Sequence, residues 1–234
     1  MTGPSTGQVC TSDNFSITVN SNTRIWFFLD VSDDLGSTWG LDNSRKTFNQ
    51  QSPPFSSVIS GLNISQTRRY RLRYTTDNPA VIANGTYVNL PQTLDITNYT
   101  TPYVNNISGI IACGGTAFTV TPTDGSGNIV PVGTKYTWTI ATPNANLTGA
   151  TDQSLSQSII SQTLTNTTSA PATLTYTVTP DANGCKGDAF DIVVTVNPNG
   201  QVNAVTDQTL CNGDNTLAVE FSTTIDNNSQ GSGQ

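Results

Sequence analysis

The sequence contains no histidine, and that absence excludes more than any residue present. Without imidazole there is no Ser-His-Asp or Cys-His nucleophile system and no His-ligated metal centre. Glutamate is nearly missing as well, with Glu220 the single one among 16 acidic residues. The other acids are aspartates, which suit turns and caps better than helix interiors. Charge as a whole is scarce, at 11% of residues, where about 25% is usual. What charge there is leans acidic, for a net of −7. That argues against nucleic acid as a partner, since its binding is driven by phosphate neutralisation. No stretch approaches the roughly 20 apolar residues of a membrane helix, so no membrane insertion is expected. The N-terminus MTGPSTGQVC lacks the charged and apolar regions of a secretory signal. This leaves an intracellular protein or a piece of a longer secreted chain, and the features below favour the piece.

Polarity is carried by Thr, Ser, Asn and Gln, interleaved with Val and aromatics, a composition that favours strands. Three segments repeat: CTSDNFSITV from Cys10, CGGTAFTVTP from Cys113 and CNGDNTLAVEF from Cys211. Their separations are 103 and 98 residues, each about one small β-domain. After each cysteine a short polar stretch leads into an alternating strand. Its inward residues are expected to be Phe15, Ile17 and Val19, then Phe118 and Val120, then Leu217, Val219 and Phe221.

The second unit, residues 109–198, is the most regular. KYTWTI sets Tyr136, Trp138 and Ile140 on one face. LTYTVTP does so with Leu174, Tyr176 and Val178, and FDIVVTV with Phe190, Ile192, Val194 and Val196. Period-two alternation predicts half-buried antiparallel strands around a core that includes Trp138. TDGSGN (123–128) and DANG (181–184) supply turns. About seven strands in some 90 residues predict a two-sheet sandwich. In the first unit, residues 1–108, RIWFFLDV reads as a central strand. RRYRLRY alternates, with Tyr70, Leu72 and Tyr74 on one side and Arg69, Arg71 and Arg73 on the other. GTYVNLPQTLDIT (85–97) reads as a further hairpin. Residues 199–234 hold too few strands for a core and end in linker-like NNSQGSGQ. They read as the start of a further, incomplete repeat.

The four cysteines have no CxxC spacing, which disfavours a metal site. In a sandwich the first strand and the last hairpin can approach at one end, so a Cys113–Cys185 disulfide is expected. Closing that loop of about 72 residues would contribute roughly 4 kcal/mol on the chain-entropy account. Cys10 and Cys211 have no evident partners, and a bond between them would require the chain ends to meet.

Several motifs of the second unit occur together and in order: CGGTAFTVTP, IVPVGTKYTWTI, SQTLTNTTSAPATLTYTVTP and NGCKGDAFDIVVTVNP. They resemble the PKD-like repeats of giant Bacteroidota surface proteins, including gliding-motility adhesins. The resemblance covers about residues 110–221. The first unit keeps only the opening VCTSDNFSITV and lacks the Trp strand. The resemblance implies an all-β chain of tandem Ig-like/PKD-like antiparallel β-sandwiches. It also implies a non-enzymatic adhesin or stalk segment, exported by the type IX system. Such a segment would sit at the cell surface, anchored to the outer membrane through its parent chain. Its expected partners are neighbouring repeats of the same chain and a surface polysaccharide or abiotic surface. The alternative is a carbohydrate-binding accessory module of a secreted polysaccharide-processing protein.

Two stretches of the first unit are candidate sites. Arg68, Arg69, Arg71 and Arg73 are four of the nine basic residues. Guanidinium forks suit carboxylate or sulfate, so Arg69, Arg71 and Arg73 form either a site for acidic glycans or an outer face neutralised by Asp on adjacent strands. In DVSDDLGSTWGLDNSRK (30–46), Trp39 beside Gly40 could stack on a sugar ring. Asp33, Asp34 and Asp42 could hold Ca²⁺, although the spacing is not that of an EF-hand and a plain folded loop also accounts for it. No catalytic residue is expected.

Overall fold

Where apolar residues alternate with threonine, the chain forms strands. The computed structural model describes residues 1–4, 7–11, 13–22, 25–41, 54–75 and 88–225. Among these it contains strands and turns and no helix, so no helix is long and apolar enough to cross a membrane. The chain divides into two compact units, 1–101 and 102–234.

The first unit holds β1 (Gln8–Cys10), β2 (Phe15–Ser21), β3 (Trp26–Ser32), β4 (Gly40–Leu41), β5 (Phe55–Leu62), β6 (Arg68–Thr75) and β7 (Val88–Tyr99). One sheet runs in the order β1-β7-β6-β3-β4, and β2 pairs with β5 in the other. Phe15, Ile17 and Val19 are buried as the alternation of β2 requires. They face Phe27, Leu29, Tyr70, Leu72 and Ile96 from the first sheet. The Phe15 and Tyr70 rings meet edge to face across the core, 6.0 Å between centroids. The stretch expected to form a hairpin over 85–97 is instead one strand from Val88 onward, β7, and its first three residues lie outside the described residues.

The second unit holds β8 (Ile107–Cys113), β9 (Ala117–Val120), β10 (Lys135–Thr142), β11 (Leu147–Thr148), β12 (Gln153–Gln157), β13 (Ile160–Thr163), β14 (Thr165–Asn166), β15 (Ala172–Ala182), β16 (Cys185–Lys186) and β17 (Phe190–Asn197). Its larger sheet has the order β12-β10-β15-β17-β8, with β16 folded back on β15. Register turns the sequence pattern into core rows. Trp138, Val178 and Phe190 lie side by side across three strands, as do Ile140, Tyr176 and Ile192. Phe118, Val120 and Ile160, from the β9–β13 pair, close the core from the other layer. The Phe118 and Tyr176 rings lie 5.7 Å apart. The Tyr176 hydroxyl, carried on a fully buried ring, donates to Gln162 Oε1 at 2.5 Å, and burial pushes the phenol pKa up. Both expected turns form. Ser126–Gly127 and Asn183–Gly184 each have positive φ at both central positions, the conformation of a two-residue type I′ turn.

The sandwiches are not purely antiparallel. In each unit the first strand runs parallel to the last: β1 with β7, from Gln8↔Thr97 to Cys10↔Tyr99, and β8 with β17, from Ile107↔Ile192 to Cys113↔Asn197. Cys10 and Cys113 therefore each end the first strand of their unit. The residue after each, Thr11 or Gly114, donates its N–H to the carbonyl of the paired residue, Tyr99 or Asn197. A tight turn follows, in which the cysteine carbonyl accepts from the residue three positions on: Asp13, Thr116 and, after Cys211, Asp214. The sequence repeat is thus a repeat of one backbone turn, present three times and twice at the end of a parallel first strand.

The third copy stops at that turn. On either side of it, β18 (Gln201–Val202) pairs with β19 (Thr223–Ile225). The expected strand over 217–221 does not form, and Leu217 and Phe221 are 76% and 73% exposed. Alternation specifies which side of a strand is buried, and it needs a second layer to bury it. Units one and two supply that layer with β5 and β13. The described residues around 217–221 supply none.

Candidate functional site

The arginine strand is the most densely charged feature of the described chain. β6 lies between β3 and β7, and its register decides what each guanidinium meets. Arg69 is opposite Asp95 and Arg71 is opposite Asp30. Arg69 grips Asp95 with two bonds, Nε to Oδ1 at 2.6 Å and Nη2 to Oδ2 at 2.8 Å, and gives Nη1 to the Leu35 carbonyl at 2.6 Å. The Arg69 hydrogen bonds hold the Asp95 carboxyl below its ordinary range, and the same bonds raise the guanidinium. Arg71 Nε donates to Asp30 Oδ2 at 3.0 Å. Arg73 Nη2 lies 3.3 Å from the other oxygen, a charge contact without an aligned hydrogen bond. Arg68 forms an ion pair with Asp33 at 2.7 Å.

Asp30 is the keystone of this lattice. It is 3% exposed, and it sits on the face of β3 opposite the hydrophobic core. Its neighbours on that face, Trp26, Phe28 and Ser32, are buried too. An isolated carboxylate there would be costly. Two guanidinium groups offset that cost, and aromatic rings flank them. Arg71 stacks over Trp39 at 4.1 Å from the ring centroid and Arg73 over Phe28 at 5.6 Å. Trp39, expected as a sugar platform, thus has one face on Arg71. The guanidinium groups of the arginine strand are thus paired with Asp30, Asp33 and Asp95.

The aspartates expected to hold calcium have separate tasks. Asp33 pairs with Arg68. Asp34 accepts from Ser32 Oγ at 2.6 Å, Thr38 N at 2.8 Å and Thr38 Oγ1 at 2.7 Å. These bonds, led by that from Ser32, depress its pKa and tie the loop after β3. Within that loop Leu35 has φ of 55°, unusual for a side chain with a Cβ. Asp42 lies outside the described residues. Among the described residues no three His, Cys, Asp or Glu side chains converge on a common point.

The expected Cys113–Cys185 bond is not formed. Cys113 is a free, exposed thiol, and Cys185 is disulfide-bonded, as is Cys10. The sheet explains it. Cys113 pairs with Asn197, at the end of β17, whereas Cys185 sits in the hairpin before Phe190, at its start. At about 3.3 Å per residue the strand separates them by roughly 20 Å, against about 7 Å between Cα atoms for a disulfide. A first strand antiparallel to the last would have brought them together. The parallel pairing puts them at opposite ends. Cys211 is also free and exposed, so it makes no bond to Cys10.

What sequence reasoning missed was Asp30. In the sequence it ends an apolar strand and opens the stretch 30–46, and nothing local marks it as the residue two arginines share. The signal that could have found it is a lone carboxylate in RIWFFLDV combined with the unusual arginine density of RRYRLRY. On the outer face of the second unit, cross-strand threonine pairs Thr137↔Thr179 and Thr139↔Thr177 take the place of the ion pairs. On the core side of the same strand, Trp138 Nε1 is buried without a hydrogen-bond partner.

Comparison with known proteins bears on the fold. No curated protein matches the chain significantly. Among solved structures, the Ig1 and Ig2 domains of DIP-gamma are similar at 10% identity, covering 82% of this chain and 93% of that one, with a TM-score of 0.40. The FN1–FN3 domains of chicken CNTN1 are similar at 10% identity over 92% of this chain and 81% of that one, with a TM-score of 0.34. Human CDH23 EC21–23 follows at 12% identity, 86% and 69% coverage, and a TM-score of 0.32. Likeness this distant carries no argument. Residues 110–200 match the model of the PKD-like domain family.

Proposed function

We propose that this chain is a non-enzymatic segment of a repetitive extracellular protein, a run of stalk modules of the kind carried by giant Bacteroidota surface adhesins. The observation that carries this reading is the recurrence of one device, a first strand held parallel to the last and ended by a cysteine turn, with the turn itself appearing a third time after Cys211. A protein built to bind one ligand needs a site; a protein built to extend needs identical joints. The arginine strand supports the same view, because its guanidinium groups are turned to Asp30, Asp33 and Asp95. On this reading the partners are neighbouring modules, and contact with polysaccharide or an abiotic surface falls to other parts of a parent chain.

A glycan array probed with the 234-residue protein, with and without Ca²⁺, tests the proposal. The expected result is no selective binding in either condition. Selective binding to acidic glycans, lost in Arg71→Gln while the thermal transition is retained, would replace the stalk reading with a ligand-reading module.

A further inference from the structure

The cysteines occupy two roles at opposite ends of a sandwich. One role ends the first strand, beside the residue from which the chain leaves the module. Cys10 pairs with Tyr99, and Cys113 pairs with Asn197. The outgoing chain stays close, since a Cβ on Gly114 would lie 3.0 Å from Asn199 Oδ1. The other role belongs to Cys185, in the hairpin beside the incoming chain. There Asp191 N donates to Asn106 Oδ1, and Gly187 lies so near the Pro102 carbonyl that no side chain fits. Within one module the two roles lie roughly 20 Å apart and cannot bond to each other.

The oxidation states sort by role. The disulfide-bonded cysteines are one of each kind, Cys10 at an outgoing end and Cys185 at an incoming end. The free thiols, Cys113 and Cys211, are both exposed; Cys113 is of the outgoing kind, and Cys211 shares its turn. Cys113 repeats the strand register, the strand-end hydrogen bond and the turn of Cys10, and it differs in being a free thiol. We infer that Cys113 is a cross-linking site whose partner is the hairpin cysteine of a following PKD-like module, the outgoing-end thiol of one module joining the incoming-end thiol of the next. The inference rests on the repetitive-chain reading above. In the step, the two thiols lose two protons and two electrons to form one S–S bond. Oxidised glutathione, or another small disulfide, takes up both electrons by thiol–disulfide exchange and leaves as two thiols.

The test is a chain of residues 1–199 followed by a second copy of 102–199, which places a sandwich after Asn197 with the spacing that Pro102 has after Tyr99. The sandwich has its own closed core within 104–196. Both proteins are refolded in a glutathione buffer, labelled with maleimide under non-reducing denaturing conditions and mapped. In the 234-residue protein, Cys113 and Cys211 should label. In the duplicated chain, Cys113 should be protected and recovered joined to the second copy's hairpin cysteine, with only the second copy's first-turn cysteine labelled. Cys113→Ser in the duplicated chain should restore labelling of that hairpin cysteine. Full labelling of Cys113 in the duplicated chain, or its recovery joined to any other cysteine, would overturn the proposal. Two cooperative copies of the sandwich transition with Cys113 still free would overturn the staple and leave the stalk reading intact.

Discussion

The two sandwiches share a clasp and differ in how they cover the back of the main sheet. In the second unit the outer face of β10 and β15 is a row of threonines, and the stabilising weight lies in the core rows of Trp138, Tyr176 and Phe190. In the first unit the outer face of β3 is itself buried, under a layer of arginine, aspartate and Trp39. The lesson is that one strand order tolerates two solutions. A sheet can be finished by hydroxyls that need no partner beyond water, or by a charge lattice in which every member depends on the next.

The largest expected effect that breaks this comparison is in the second unit. Trp138→Ala should lower the stability of that transition by about 3–5 kcal/mol and leave the first unit's transition in place. Trp138→Phe should cost less than about 1.5 kcal/mol, since the indole N–H has no partner to lose. Calorimetry of the three proteins reads both. Next is the first unit's keystone. Asp30→Asn should cost about 3 kcal/mol, because Arg71 and Arg73 lose their shared carboxylate. Denaturant titration should show only one of the two transitions moving; an unchanged midpoint would mean that the lattice is decoration.

Acid sharpens the comparison further. Asp34 and Asp95 have depressed folded-state pKa values. Their contribution is therefore present above the unfolded value of about 3.9 and is lost as pH falls through the folded values. The second unit contains no arginine to hold a carboxylate in this way. Between about pH 4 and 2 the first unit's melting temperature should fall more steeply than the second's, and a parallel decline would count against the ion pairs. The smallest effect is expected from Thr177→Val, which removes the 2.8 Å bond to Asp191 and should cost about 0.5–1 kcal/mol.

How much of this was legible in the sequence follows from what each feature depends on. The core residues were readable, because the two-residue period of a strand assigns Phe15, Ile17, Tyr70, Tyr176 and Ile192 to one side before any partner is known. The turns at Ser126–Gly127 and Asn183–Gly184 were readable because Gly127, Asn183 and Gly184 are residues that accept positive φ. Pairings between distant strands were not. The meeting of Asp30 with two arginines depends on the register of β3 against β6, 41 residues away at Arg71. The fate of Cys113 depends on the direction of a first strand relative to a last, which no local pattern encodes. Leu217, Val219 and Phe221 carry the same alternation as β2, and without a facing layer the pattern has nothing to act on.

The parallel clasp also decides how a sandwich bears tension. The chain enters the second unit ahead of Ile107 and leaves it after Asn197, at opposite ends of two strands that lie side by side. Pulling on the chain drags β8 and β17 past each other along their length. The hydrogen bonds between them are then loaded in shear and must yield together, rather than one at a time as in an unzipping hairpin. β1 and β7 are arranged the same way. A module of this design resists a stretching force at the strands where the chain enters and leaves, and the loops and outer faces are free to vary without weakening the tether.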